Sequence, residues 1–262
     1  MLRSLNTSAT GMVAQQLNLD VISNNLANAN TTGFKHQRAE FQDLIYQTVQ
    51  AGGTSIGNNQ ITPGGVQYGL GATNSATAND FAQGAALNTN NSTDVMVVGE
   101  GFFQVLKPDG TFAYTRDGSF KKDATGALVT SGGYRLQPEI VVPANATSIS
   151  IGKAGNVEAI TSDSSVPVNI GQITLALFPN PAGLSRVGGN MWVESTASGT
   201  ATIVPPETQG AGGLMAGYLE GSNVSVVEEM VRMISAQRAY EINSKAIQTS
   251  DDMLQTLNTL KR

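Results

Sequence analysis

Apolar residues recur every seven positions at both ends of this chain, and that split ribbon restricts the folds open to it. In the last segment, Ser222 to Arg262, the residues Val226, Met233, Tyr240, Ile247 and Leu254 lie seven apart, and Ala239, Ala246, Met253 and Leu260 repeat on the adjoining stripe. A strict seven-residue apolar period keeps one seam facing a partner helix, the pattern of a coiled coil. Ser225 followed by Glu228 reads as a capping box at the start, and neither Pro nor Gly interrupts the run. At 1.5 Å per residue the helix is roughly 50 Å long. So long and thinly apolar a helix does not offset its own ordering and needs partners along its length.

Met1 to Asn30 carries the same period in Leu5, Met12, Leu19 and Leu26, with Leu2, Ala9 and Ile22 alongside. Only Arg3 and Asp20 are charged before Gly33, so the polar face is built from Asn, Gln, Ser and Thr. A face open to water ordinarily carries Lys and Glu. An uncharged one suits a helix whose polar side is also covered, by packing among like helices. The alternative is an ordinary core helix in one globular domain. The helix is expected to stop in Asn28-Ala29-Asn30-Thr31-Thr32-Gly33, turn formers ending in a Gly suited to positive φ.

Between the helices the pattern changes. Phe34 to Val49 reads as extended or partly helical, anchored by Phe34, Phe41, Leu44 and Ile45. Gln50 to about Ala78, with Pro63-Gly64-Gly65 inside it, is Gly, Asn, Ser, Thr and Gln-rich and cannot form a core of its own. It is expected to be a mobile connector or an extended arm. From Asp94, short strands separated by turns predict an antiparallel β domain. Val95–Val98, Phe102–Leu106 and Thr111–Arg116 are strands around the turn Lys107-Pro108-Asp109-Gly110, and 148–151, 157–160, 170–178 and 190–194 are further strands. The expected class is therefore α+β: helices at 1–33 and 222–262 pairing as a coiled coil, a connector at 34–93, an inserted β domain at 94–203, and a return linker at 204–221.

With 262 residues there is room for one or two domains, and 13% charged and 6% aromatic residues fit a β-rich extracytoplasmic or fibrous protein better than a metabolic enzyme. A net charge of -5 without a basic cluster argues against nucleic acid, and the absence of Cys excludes disulfide and thiolate chemistry. No apolar run is long enough to span a bilayer. The polar residues after Arg3 lack a signal-peptide layout, so export is expected without a cleaved signal. Gly99-Glu100-Gly101 lacks the third Gly of a dinucleotide fingerprint and precedes a strand instead of a helix. His36 is the single histidine and forms no metal pair; Asp109, Asp117 and Asp123 fit turns better than a calcium loop. Asn6-Thr7-Ser8 reads as a chance product of composition, and Trp192 as a core residue. Glu100 with Asp117 is the one carboxylate pair to weigh for glycan hydrolysis. Otherwise no catalytic constellation, cofactor or metal is expected.

Ser23-Asn24-Asn25-Leu26-Ala27-Asn28-Ala29-Asn30-Thr31-Thr32-Gly33-Phe34-Lys35 resembles the N-terminal signature of bacterial flagellar rod and hook proteins. Ser222-Asn223-Val224, then Glu229-Met230, Met233-Ile234 and Gln237-Arg238-Ala239-Tyr240-Glu241, resembles their C-terminal signature. Val98 to Phe103 with Ala113 to Gly118 resembles their β domain. Asn25, Asn28, Gly33, Phe34, Asn223, Gln237 and Arg238 are the motif residues carried over. Within the family, Gln37 to Gln47 and the Gly/Asn/Pro-rich insertion up to Gly71 resemble the distal-rod members. Ser225 where Asp or Asn is common, and His36 where a basic residue is common, keep a proximal-rod member open.

The resemblance implies a structural subunit of a hollow, stiff drive shaft that crosses the periplasm and outer membrane and carries torque to the hook. Its subunits leave by the flagellar type III export apparatus and polymerise into an open helical tube. The terminal helices form its coiled-coil inner layer and the β domain lies outside. Partners would be copies of itself, other rod and hook-family proteins, the surrounding ring proteins and the export apparatus. On physical grounds the termini are expected to be largely disordered before assembly, and the 50–78 arm to wedge between neighbours and stiffen the shaft.

Overall fold

The computed structural model describes residues 2–52, 55–57, 60, 61, 64–162 and 164–260. The ends of the expected helices at Met1, Lys261 and Arg262, the side chain of Leu2, and Pro63 lie outside the described residues. The chain divides into two compact units, each assembled from separate stretches: 1–27, 37–78 and 225–262 in the first, 28–36 and 79–224 in the second.

The first unit holds both long helices, α1 (Leu2–Ala27) and α2 (Val226–Leu260), packed against each other. α1 ends three residues short of the expected Asn30. The Thr31 N–H and hydroxyl bond the Asn28 carbonyl and side chain (both 3.1 Å), forming a turn that competes with another helical turn. α2 begins immediately after Ser225, as expected, and the Ser225 carbonyl accepts the Glu229 N–H at 3.0 Å. Between the helices in sequence, the Gly/Asn/Ser/Thr-rich stretch is a long β ribbon. Gln37–Asp43 pairs with Ala72–Asn79, Tyr46–Gln50 with Val66–Gly69, and Ser55–Gly57 with Gln60–Ile61. Tyr46–Gln50 is exposed along its whole length, so main-chain ladders hold the ribbon there instead of an apolar core. At its base the Leu44 N–H bonds the Gly71 carbonyl at 2.8 Å.

The second unit is β-rich. Its nine-stranded sheet runs in the order Lys121–Lys122, Leu128–Val129, Arg135–Gln137, Phe102–Leu106, Phe112–Thr115, Met191–Val193, Ser185–Gly188. Leu175–Leu177 bridges Phe102–Leu106 to Thr202–Val204. The expected hairpin is present, with Phe112 opposite Leu106 and Gly110 at φ 80 closing the turn. Ala146–Ile151, Asn156–Thr161 and Ser164–Gln172 form a separate three-stranded sheet. The expected strand over 170–178 is two strands, ending at Gln172 and restarting at Leu175. The Ile173 N–H turns to the Gly155 carbonyl at 2.8 Å, and the chain passes from one sheet to the other. Residues 204–221, read from sequence as a linker, carry two strands: Gly213–Ala216 pairs with Val95–Val98, and Tyr218–Glu220 with Ala86–Asn88. Val95, Val97, Phe103, Phe120, Leu128, Leu136 and Leu175 make the main core, and Trp192 is buried in a second, aromatic cluster with Phe102, Tyr114 and Phe178.

Candidate assembly site

In the first unit the helices meet along a stripe that is small and polar. Ser4 Oγ lies 3.3 Å from Ser250 Oγ, a Cβ on Gly11 would stand 2.9 Å from Asn243 Nδ2, and Asn25 Nδ2 donates to Glu229 Oε2 at 3.0 Å. Moving from Ser4 to Gly11 to Asn25 climbs α1 by seven and then fourteen residues, while Ser250, Asn243 and Glu229 descend α2 by the same steps. The pair is therefore antiparallel and in heptad register. Asn18 and the buried Ala236 face one another across a shared crevice at the intermediate position.

The apolar stripe expected to form this seam lies beside it. Leu5, Met12, Leu19, Leu26, Met233, Ile247 and Leu254 are half-buried, while Val226 is 44% and Tyr240 39% exposed. The period was legible, but the closest approach is one position away from the apolar stripe on α1, where Gly11 and Ser4 permit it. On the far side of α2 from the seam, Val227, Met230 and Ile234 are exposed, and Val231 is exposed at the edge of the shared crevice.

Asn25 is fully buried and saturates its amide. It donates to the Gln37 carbonyl at 2.7 Å, accepts the Gln37 N–H at 3.0 Å, and holds the Glu229 carboxylate, which Arg232 approaches at 3.2 Å. In the second unit Asn223 ties backbone segments together in a similar way. It accepts the His36 N–H at 2.7 Å and donates to the carbonyls of Asp80 (3.0 Å) and Ala82 (3.1 Å). Such side-chain mimicry of backbone pairing is available to Asn and lost in Asp or Leu. Gln237 and Arg238, the other helical motif residues, are exposed on α2.

The remaining motif residues dock segment 28–36 within the second unit. Gly33 sits at φ 68 with its N–H on the Glu220 carbonyl at 2.8 Å, and a Cβ there would come within 2.7 Å of the Asp117 backbone nitrogen. Phe34 is buried under the Arg186 guanidinium (4.8 Å to the ring), which also lies over the Trp192 ring at 4.5 Å. Arg186 also donates to the Lys35 carbonyl, and burial lowers its pKa to about 10. The αL residue Asn190 donates to the Thr32 carbonyl at 2.8 Å.

Lys35 inserts a fully buried ammonium between Glu220 Oε1 (2.6 Å) and the Ala82 carbonyl (2.8 Å). Glu220 Oε1 also accepts the Gly84 N–H at 3.0 Å, and Arg116 Nη1 stands 3.6 Å from Glu220 Oε2. Burial lowers the pKa of both Lys35 and Arg116, with Glu220 pulling the other way. Sequence reasoning assigned no role to Lys35, Arg116, Arg186, Glu220 or Glu229. The available signal was scarcity: in so weakly charged a chain, a lysine closing an otherwise uncharged motif asks for a partner.

Of the two carboxylates weighed for glycan chemistry, Asp117 accepts from Thr32 Oγ1 (3.2 Å) and the Ser119 N–H (3.1 Å) as a turn residue, and Glu100 edges an aromatic crevice with Phe81, Phe102 and Phe178. These networks fix backbone segments.

The family described as Flagella basal body rod protein matches residues 5–35, Flagellar hook protein FlgE/F/G D1 domain matches 96–159, and Flagellar basal body rod FlgEFG protein C-terminal matches 215–260. The chain is 53% identical over 264 residues to the flagellar basal-body rod protein FlgG of Borreliella burgdorferi, covering the whole of both. It is 41% identical over 267 residues to FlgG of Bacillus subtilis, again covering both completely. A flagellar hook protein FlgE of Helicobacter mustelae is 46% identical over 139 residues, covering 52% of this chain and 30% of that protein.

Proposed function

Because the chain belongs to the FlgG family of flagellar basal-body rod proteins, we propose that it builds the distal rod, polymerising into a hollow helical shaft that carries motor torque to the hook. It is a structural subunit of the flagellar basal body and not an enzyme, and it associates with other rod and hook proteins. The full-length match to proteins named FlgG favours the distal over the proximal rod. The ring proteins around the shaft, passage through the type III export apparatus, and a rod crossing the periplasm and outer membrane are part of this reading.

The observation that carries the mechanism is the uncovered apolar surface of the first unit. Val226, Val227, Met230, Val231, Ile234 and Ile242 are exposed on α2, far more than a soluble helix presents. In the shaft, the terminal helices of many copies form a coiled-coil inner layer that covers these residues. Leu5, Met12, Leu19, Leu26, Val226, Met233, Tyr240, Ile247 and Leu254 then lie at helix–helix contacts between copies as well as within them. The 37–79 ribbon extends between neighbours and stiffens the tube. Light scattering of the purified protein over a concentration series, followed by electron microscopy, tests the reading. Open-ended growth into tubes is expected; a fixed small oligomer or a monomer at every concentration would overturn it.

A further inference from the structure

Within the second unit a crevice of about 330 Å³ opens among Phe81, Glu100, Phe102, Arg116, Phe178 and Pro181. Three aromatic rings make its apolar wall. Phe102 meets Phe81 edge-on at 5.3 Å between ring centroids, and Phe178 at 5.7 Å. The space is about twice the roughly 150 Å³ that holds a benzene ring in an apolar protein cavity, so an aryl group fits with room for several further atoms. Such a group gains from the area it removes from water and from edge-to-face contact with these rings.

The cation in the lining is Arg116, which is 3% exposed and lies over the Phe102 ring at 5.1 Å. Its Nε and Nη1 are buried and donate no hydrogen bond. Glu220 does not engage them: its Oε1 is taken by Lys35 at 2.6 Å, and its Oε2 stops 3.6 Å from Nη1, beyond hydrogen-bond range. Arg116 therefore carries the cost of burial with donors unused, and that burial lowers its pKa against the pull of Glu220 and Glu100.

The two halves of the lining together select the ligand. A carboxylate is the acceptor that suits a guanidinium, whereas a neutral aryl group would leave the Arg116 donors dry and unpaired. A bare inorganic anion would leave the aromatic wall uncovered. Glu100, exposed at the rim, repels a dianion about twice as strongly as a single carboxylate.

We infer that this crevice binds a hydrophobic carboxylate, with an aryl group against Phe81, Phe102 and Phe178 and a carboxylate a few bonds away on Arg116. That chemistry is found in a small aromatic acid and in a protein segment with Phe beside Asp. Isothermal titration calorimetry of the dilute full-length protein compares N-acetylphenylalanine with its neutral amide, N-acetylphenylalaninamide. The acid should bind with Kd on the order of 1 mM, and the amide at least tenfold more weakly. Trp192, the single tryptophan, packs on Phe81 at 4.9 Å, so its fluorescence should follow the same isotherm.

Arg116→Met should bring the acid down to the level of the amide, and circular dichroism checks its fold. Glu100→Gln is isosteric and exposed, and so does not depend on that check. It should tighten the acid about threefold, the size of a solvent-screened charge contact, and leave the amide unchanged. An acetylated and amidated peptide with Phe followed by Asp separates the sources. Binding at least tenfold tighter than the free acid assigns the crevice to a partner protein's segment, and equal or weaker binding assigns it to a small acid. Equal affinity for acid and amide, no binding of the acid at about ten times the expected Kd, or an acid affinity that Glu100→Gln leaves unchanged or weakens overturns the assignment.

Discussion

Replacing Glu220 by Gln should damage the second unit far more than removing the lysine it faces. Glu220 meets two buried cations: Lys35 at 2.6 Å, with both side chains fully buried, and Arg116 at 3.6 Å. The amide preserves shape and can still accept from Gly84 and Lys35, but it strands two positive charges in a dry interior. Breaking a buried pair in this way costs about 3–5 kcal/mol. For a unit of on the order of 150 residues, that lowers the melting temperature by roughly 6–20 °C.

Lys35→Met is a different perturbation. Glu220 keeps Arg116 and the Gly84 N–H, and the Ala82 carbonyl keeps the Asn223 amide, so nothing is orphaned and the loss is about 1–2 kcal/mol. The direction of the Lys35 shift says the same, since burial outweighs Glu220 and lowers its pKa. A lowered pKa means the unfolded chain holds the proton up to about pH 10.4 while the folded chain has released it. Over that window the unfolded state binds more protons, so stability rises with pH. The wild type should therefore gain stability over Lys35→Met as pH climbs towards 10.4. Urea melts of full-length wild type, Glu220→Gln and Lys35→Met, read by Trp192 fluorescence, measure both effects. Equal losses for the two variants, or a Lys35→Met difference that moves the other way with pH, would refute the reasoning.

Other perturbations separate the remaining networks. Asn25→Asp places a second carboxylate beside buried Glu229 and should cost about 3 kcal/mol at neutral pH. One carboxylate of that pair then has a raised pKa, so the lost stability returns on acidification; melts of the assembled protein at pH 5 and pH 7, followed by circular dichroism, check the sign. Gly33→Ala should cost about 1–3 kcal/mol in the same urea assay, from φ 68 and the approach to Asp117. Hydrogen exchange on dilute monomer should show weak protection of 2–27 and 226–260, and strong protection there would contradict ordering on assembly. Deleting 51–65 should leave polymer with altered curvature; tubes as straight and stiff as wild type would remove the stiffening role.

Heptad spacing announces a helix pair but not its phase. A period of seven fits several stripes of one helix, and the chain uses the stripe where Gly11, Ser4 and Ala236 allow close approach. The sequence allowed an extended arm here but not its strand pairing, for a related reason: Tyr46–Gln50 is exposed along its length, so no apolar alternation marks it as a strand. The break at Ile173 depends on a carbonyl at Gly155 that sequence cannot locate. The Lys35–Glu220 pair joins residues 185 positions apart, beyond the reach of any local pattern. By contrast Gly33 at positive φ, the 107–110 turn and the start of α2 were legible, because each is decided by a few neighbouring residues.

The phase of the seam bears on assembly. A helix pair that buried Leu5, Met12, Leu19 and Leu26 fully against Met233, Tyr240 and Ile247 would satisfy most of its apolar surface within one chain and leave little to drive association. Here the line of closest approach is Ser4, Gly11, Asn25, Glu229, Asn243 and Ser250, whose hydrogen bonds contribute only about 1 kcal/mol each net of water. The larger apolar side chains are left half-covered or open. Since the hydrophobic contribution scales with area removed from water, the greater share of it is released only when further copies arrive. A polar seam that sets register and an apolar exterior that rewards neighbours would make a chain weakly ordered alone and strongly ordered in company, the outcome that exchange on dilute monomer measures. The scarcity of charge on α1 follows from the same division, because a face destined to be covered cannot carry Lys and Glu without stranding them.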